Sequence, residues 1–282
     1  MRNIFLTDNG SLRPASTMNL RRVAKQLSEK TGYRVEPVSL LHSSKVSASE
    51  LEGIPARTVG PTIREAVEEG VKDFLILPFF FGPSRAITEY LPRRIAEMQK
   101  QIPDLDVRVA KPLVDLESPT NLRIAKILKE HVLQSSSGDG PKSVILVDHG
   151  SPEPAVTAIR NVLAGQLAVL LERERTDDVD FRVVPASMER REGSEYDFAG
   201  PLLETVLDRA NSWPMPVILS MLFLSPGRHA GPDGDVVRIC REAEERNPGL
   251  STVMSGLVGE HDGIVDVLAD RLTEALAEEQ GL

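Results

Sequence analysis

The stretch SVILVDHGS, residues 143–151, repeats in outline what IFLTDNGS, residues 4–11, has already said: an apolar run enters an Asp-x-Gly-Ser turn, 140 residues apart. A run this short, apolar throughout and closed by a glycine turn, has the pattern of a strand buried on both faces of a parallel sheet. Working outward, each copy is followed by an amphipathic stretch of helical period and then by further short apolar runs. The strands predicted in the first half are 4–7, 34–39, 73–81 and 106–110, and in the second half 143–147, 180–185, 217–224 and 251–255. The segment SSSGDGPK, residues 135–142, separates the halves with the composition of a linker. Further matches keep the same order along both halves: Gly60-Pro61 with Gly200-Pro201, Phe80, Pro83 and Arg85 with Phe223, Pro226 and Arg228, and Leu113-Val114 with Leu257-Val258. The expected fold is therefore α/β, with two tandem, similar, doubly wound domains at residues 1–134 and 142–282. Each is expected to be a four-stranded parallel sheet flanked by helices. Open α/β sheets bind ligands beyond the carboxyl ends of their strands, so the site is expected there, in the cleft between the halves.

Composition excludes several classes of function. The chain has 282 residues, 41 % apolar and 27 % charged, the profile of an ordinary globular protein of about two domains. Acidic residues outnumber basic ones by 42 to 33, the net charge is −9, and no run of Lys and Arg could track a phosphate backbone, so nucleic acid is not an expected partner. Cys240 is the only cysteine, which excludes an intrachain disulfide and a thiolate cluster and leaves His, Asp and Glu to hold any metal. The opening MRNIFLTDNG meets Asp8 too early for a signal peptide. The apolar runs at 74–81 and 217–224 fall short of the ~20 residues that cross a bilayer. A cytoplasmic protein without a membrane partner is expected.

The chemistry-bearing residues collect in the second half. His149 follows its first predicted strand and His229 its third, so both lie at strand ends on the same side of one sheet. A single histidine at a strand end is most often structural, but two in converging loops form a pair of imidazoles. Neutral imidazole suits Fe, Co and Ni, and it accepts a proton near neutral pH. The equivalent positions of the first half are Asn9 and Ala86. His131, near the end of a helix, and His42, after a strand, are assigned no role, and His261 reads as a loop residue with an accessory metal contact as the alternative. Asp235 reads as a cap for the helix that follows it, with a contact to the site as the alternative. Phe79–Phe81 reads as sheet core. A serine hydrolase built on Ser151 is disfavoured, because DHGSP lacks the G-x-S-x-G turn that presents a nucleophile.

LVDHGS at 146–151, VVPASME at 183–189, LFLSPGRHAGPDGDV at 222–236 and LVGEHDGIVDVL at 257–268 resemble the sirohydrochlorin chelatases of the CbiX/SirB type, class II chelatases, in a two-domain form. The first half resembles the same domain with DNGS and FFFGPSRA in place of the motifs. The resemblance implies a lyase that inserts Co2+ or Fe2+ into sirohydrochlorin, a reduced, carboxylate-rich tetrapyrrole, in cobalamin or siroheme biosynthesis. It further implies that His149 and His229, with Glu189, bind the metal and accept protons; the counterpart of Glu189 in the first half is Leu41. Such a site needs neutral bases that ligate weakly and let go, because two pyrrole N–H protons must leave as the cation enters. The metal, for which Ni2+ also fits the ligand types, is then a substrate, and no permanently bound cofactor is expected. An anionic substrate on an acidic protein calls for local cations. Arg228 beside His229 is the first candidate, with Arg85 from the other half, Arg190 or Arg191 after Glu189, and Ser151 and Ser225 as hydrogen-bond donors. The sequence departs from the family in Pro152-Glu153-Pro154 after the HGS turn, and in carrying its histidine pair in the second half. The alternative is a non-catalytic metal- or tetrapyrrole-binding protein of the same fold; homo-oligomerisation is left open.

Overall fold

The structure, a computed structural model, describes residues 2–118, 120–138, 140–176 and 179–278. It divides into two compact units, Met1–Asp115 with Asp262–Leu282, and Leu116–His261. In the first unit the strands β1 (Asn3–Thr7), β2 (Val35–Pro37), β3 (Asp73–Pro78) and β4 (Asp106–Val109) form one sheet in the order β2-β1-β3-β4. All pairs are parallel, with Phe5 opposite Glu36 on one side and Ile76 on the other. The crossover helices are α1 (Pro14–Thr31), α2 (Val59–Glu68) and α3 (Leu91–Gln99). Helix α1 starts with Pro14 in its first turn, where no backbone donor is lost, and stops at Gly32, whose φ of 75° lets its N–H close back on Ser28 O at 2.9 Å.

The second unit repeats this plan. Its strands β5 (Lys142–Asp148), β6 (Phe181–Ser187), β7 (Val217–Met221) and β8 (Thr252–Met254) form a parallel sheet in the order β6-β5-β7-β8. The linking helices are α5 (Pro154–Glu172), α6 (Leu203–Asp208) and α7 (Asp235–Arg246), counting the helix α4 (Arg123–Ser135) that precedes them in the chain. All eight expected strands are present. The predicted strands 73–81 and 217–224 overshoot: Phe79 and Leu222 each make one further backbone bond, to Thr7 O and Val147 O, and the chain then leaves the sheet. Phe79 is buried and Phe80 packs on the core, as their core reading expected.

The compact units do not coincide with the sequence halves. Helix α4, from the first half, buries Ile124, Ile127, Leu128 and Val132 in the second unit, where it packs on α5 and β7. Helix α8 (Ile264–Ala277), from the second half, buries Ile264, Val267, Leu268 and Leu272 in the first unit, against α1 and β3. The boundaries 1–134 and 142–282 thus follow the repeat in sequence, whereas the last helix of each half completes the other unit. Periodicity reveals an apolar helix face but not which sheet that face covers.

Helix α5 is long and apolar enough to cross a membrane by length and composition, with a mean hydropathy of 1.4, although its apolar residues form no long unbroken run. It buries Thr157, Ile159, Arg160, Leu163, Leu167 and Leu171 within its own unit, the pattern of a core helix.

Candidate functional site

In the second unit the central strand β5 lies between β6 and β7, so the loops leaving their carboxyl ends are neighbours. His149 and Glu189 sit in the loops after β5 and β6, and His229 in the loop between β7 and α7. The first two loops run against each other through Met188 N–H to Asp148 O at 2.8 Å and Glu189 N–H to His149 O at 3.1 Å. This approach requires a glycine: Gly150 has φ +93°, and a Cβ there would stand 1.9 Å from the Glu189 carbonyl oxygen. The first unit uses the same device at Gly10, with Leu40 N–H to Asp8 O and Leu41 N–H to Asn9 O.

The two imidazoles meet, with ring centroids 4.5 Å apart and planes at 55°. Nδ1 of His229 lies 2.7 Å from Asp235 Oδ2. A carboxylate oxygen only accepts, so Nδ1 carries the proton and Nε2 presents its lone pair. Nδ1 of His149 lies 3.0 Å from the Gly150 carbonyl and donates to it by the same argument. Nε2 of His149 then faces Glu189 Oε1 at 3.2 Å, two acceptors whose approach is satisfied by a shared proton or a cation. Burial opposes charge on Asp235, but the hydrogen bond from His229 and the charge that ring carries when protonated, with Arg238 and Arg228, outweigh it and hold the carboxyl below the usual carboxylate range. His149 is about half exposed and His229 a third, at 47 % and 32 % of their side-chain surface, so the pair is open to a ligand. Among the described residues no three His, Cys, Asp or Glu side chains form a closed metal cage. The arrangement is one of paired bases, His229 steadied by Asp235 and His149 by the Gly150 carbonyl with Glu189 facing its open nitrogen.

Beneath the loops lies a buried cation. Arg160 of α5 is 1 % exposed and donates to Ser187 Oγ, to Ala199 O at 2.9 Å and to Gly200 O at 3.1 Å, and it approaches Asp148 Oδ1 to 3.5 Å. It thereby ties the ends of β5 and β6, the residues just ahead of His149 and Glu189. Burial pushes the Asp148 carboxyl up, opposed by Arg160, Ser187 and His149.

The structure brings the sequence candidates His149, His229 and Glu189 together, with Asp235 and Arg160 as supports, of which Arg160 went unread in the sequence. Asp235 does not cap α7: Gly234 occupies the cap position, and the Asp235 side chain is spent on His229. Arg160 was legible only as an arginine on an apolar helix stripe, where α1 carries Leu20. Of the expected substrate contacts, Arg228 is largely exposed and 3.7 Å from Asp235, and Ser225 lies half-buried in the same loop. Ser151 Oγ accepts the Glu153 N–H at 3.1 Å, which leaves its own hydroxyl proton to donate. Arg85 belongs to the first unit and approaches Glu89 at 3.7 Å. Arg190 pairs with Asp197 at 2.6 Å, and Arg191 lies over the Tyr196 ring. His261 bonds Glu130 at 3.0 Å and packs edge-on against the buried His131, whose pKa is lowered by that burial.

Comparison with known proteins follows the repeat. The model of the CbiX family matches twice, over residues 3–132 and 143–275. A sirohydrochlorin ferrochelatase, chloroplastic, of Arabidopsis thaliana is 26 % identical over 149 residues, half of this chain. The match spans 57 % of that relative's length. Among solved structures, SirB from Bacillus subtilis with Fe3+ superposes with a TM-score of 0.71 at 15 % identity, covering 99 % of this chain and 97 % of that one. SirB of Bacillus subtilis subspecies spizizenii in complex with cobalt gives 0.69 at 14 % identity over the same shares. At these identities the structures establish the two-unit chelatase-like fold.

Proposed function

The chain belongs to the CbiX family, and from that premise we propose that it inserts a divalent metal ion, Co2+ or Fe2+, into sirohydrochlorin, as a metal chelatase of cobalamin or siroheme biosynthesis. The observation that carries the reading is the His149–His229 pair, 4.5 Å between centroids, with a carboxylate on each ring. Metal insertion has to accept two pyrrole protons and deliver a cation to the vacated nitrogens. Each histidine takes one of the two protons on its Nε2, Asp235 stabilising the imidazolium formed at His229 and Glu189 the one formed at His149. His149, His229 and Glu189 suit the delivery, two imidazoles and a carboxylate that ligate without the grip of a thiolate. Arg228, Ser151 and Ser225 are the contacts proposed for the substrate's carboxylates in this unit, and Arg85 the one in the first unit. The metal enters as substrate. The lone cysteine, Cys240, is buried, which suits a reducing compartment, and a cytoplasmic location is part of the proposal.

The test is a multiple-turnover metalation assay with sirohydrochlorin and Co2+, Fe2+ or Ni2+ side by side, followed by absorbance. Turnover well above the uncatalysed rate is expected, with a loss of about 10²-fold or more in His149→Ala combined with His229→Ala. No acceleration, or full activity in the double variant, would overturn the proposal. Tight binding without turnover would leave the chain as a metal- or tetrapyrrole-binding protein.

A further inference from the structure

The first unit carries a counterpart of the histidine site, and its contents follow a rule. Asn9, Leu41 and Ala86 stand where the second unit has His149, Glu189 and His229. After two extra residues in the loop of the second unit the match resumes in the next helix, where buried Leu91, Ile95 and Met98 of α3 match buried Val236, Cys240 and Ala243 of α7. In the helix register Tyr90 stands where Asp235 does and Arg93 where Arg238 does, and in the register of the preceding loop Arg85 stands where Arg228 does. At these positions the imidazoles and carboxylates are gone, and both arginines remain.

These residues enclose space. A cavity of about 230 Å³ is lined by Asn9, Leu41, Arg85, Ala86, Tyr90 and Arg93, together with Glu89. A second cavity of about 230 Å³ shares Leu41 and Tyr90 with it and adds His42, Arg94 and an apolar wall that includes Val59 and Leu91. The guanidinium groups of Arg64 and Arg94 both come within 4 Å of one point above Gly60, at 3.8 and 3.9 Å. Acidic neighbours are Glu89, 3.7 Å from Arg85, and Glu97, 2.6 Å from Arg94, all on exposed side chains. Arg93 rests over the Tyr90 ring at 5.9 Å. The two cavities thus present arginines on either side of an apolar divider made by Leu41 and Tyr90.

We infer that this counterpart site binds carboxylates, Arg85 and Arg93 taking one acid arm and Arg94 another, with the apolar divider against the body that joins them. The ligand class is a polycarboxylate built on a flat apolar ring, and the inference rests on the proposed function in naming that body as the tetrapyrrole substrate. An arginine fork suits a carboxylate through paired charge-assisted bonds. Loss of the acids and bases, with retention of the cations, converts a proton- and metal-handling site into an anion site on the same backbone.

The test uses the full chain and the variant Arg93→Gln with Arg94→Gln, whose side chains lie at the surface of α3. Affinity for metal-free sirohydrochlorin is read by absorbance titration and affinity for citrate, a free polycarboxylate, by calorimetry. At least a tenfold weakening of sirohydrochlorin binding in the variant is expected, with an unchanged melting temperature. Weakening of citrate alone would show a site for a free carboxylate and overturn the assignment to the substrate. If wild type metalates sirohydrochlorin and neither affinity responds to the variant, the inference falls while the proposed function stands. If wild type does not metalate but citrate binding depends on Arg93 and Arg94, the carboxylate site stands and the proposed function falls.

Discussion

The first and second units share a strand order, a glycine turn and the hydrogen bonds that hold that turn against the loop after the neighbouring strand. Around the site they differ at Asn9 against His149, Leu41 against Glu189, Ala86 against His229, Tyr90 against Asp235, and Leu20 against Arg160. The last pair teaches the most. Helices α1 and α5 match through Pro14 and Pro154, Thr17 and Thr157, Ala24 and Ala164, and Leu27 and Leu167, so Leu20 and Arg160 occupy one core position, each about 1 % exposed. The fold accepts leucine there. Arginine is present only in the unit that holds the histidines, so its role lies with the strand ends it ties together.

The largest effect is expected where that comparison is broken directly. Arg160→Leu gives the second unit the residue of the first, but leaves Asp148 buried without its cation, and a loss of about 3–5 kcal/mol in urea unfolding is expected. Adding Asp148→Asn should recover much of it; a neutral Arg160→Leu would show the two positions to be interchangeable after all.

The equivalent aspartate of the first unit, Asp8, stands as Asp148 would in the Arg160→Leu variant. Asp8 has no arginine beneath it, and burial pushes its carboxyl from the ordinary 3.8 to about 6, against weaker help from Ser39 and backbone donors. Between those values the folded chain holds a proton that the unfolded chain has released. Stability therefore falls as pH rises from about 4 to about 6, and the whole cost is present at pH 7. Two pH units correspond to about 3 kcal/mol as an upper figure. Asp8→Asn is expected to raise the melting temperature at pH 7 and to leave it nearly unchanged at pH 3. A lowered melting temperature at pH 7 would show that the ionised carboxylate is stabilising.

A smaller effect, confined to the site, is expected for Asp235→Asn. It removes the charge that steadies His229 while Tyr90 shows that the fold does not need an acid there; Co2+ affinity should fall about 10–100-fold with the melting temperature little changed. Smallest of all, Arg238→Gln removes an exposed cation 3.5 Å from Asp235 and should alter stability by no more than about 0.5 kcal/mol in the same unfolding measurement.

The same comparison shows what the amino-acid sequence reveals and what it hides. Strands of a parallel sheet are continuous apolar runs, so all eight are visible, although backbone pairing decides where β3 and β7 stop and apolarity does not. His149 and His229 could be brought together because strand order in an α/β unit places their loops side by side. Asp235 reads first as a cap and only second as a contact of the site, because an acid at the start of a helix can serve either way. Arg160 was hidden because helical period marks a position as buried without naming the polar groups waiting there. The membership of α4 and α8 was hidden because an apolar stripe fits either sheet.

That exchange of helices fixes an order of events during synthesis. The unit bearing the histidines is drawn from one unbroken segment, Leu116–His261, and has all its parts once that segment has left the ribosome. The other unit supplies strands β1 to β4, which precede that segment, yet it waits for α8, which follows it and whose Leu268 and Leu272 are fully buried in it. The half made first is thus the half finished last, and in the interval the apolar faces of α1 and β3 that α8 covers stand open, the stage at which a chain is most exposed to misassembly and chaperone capture.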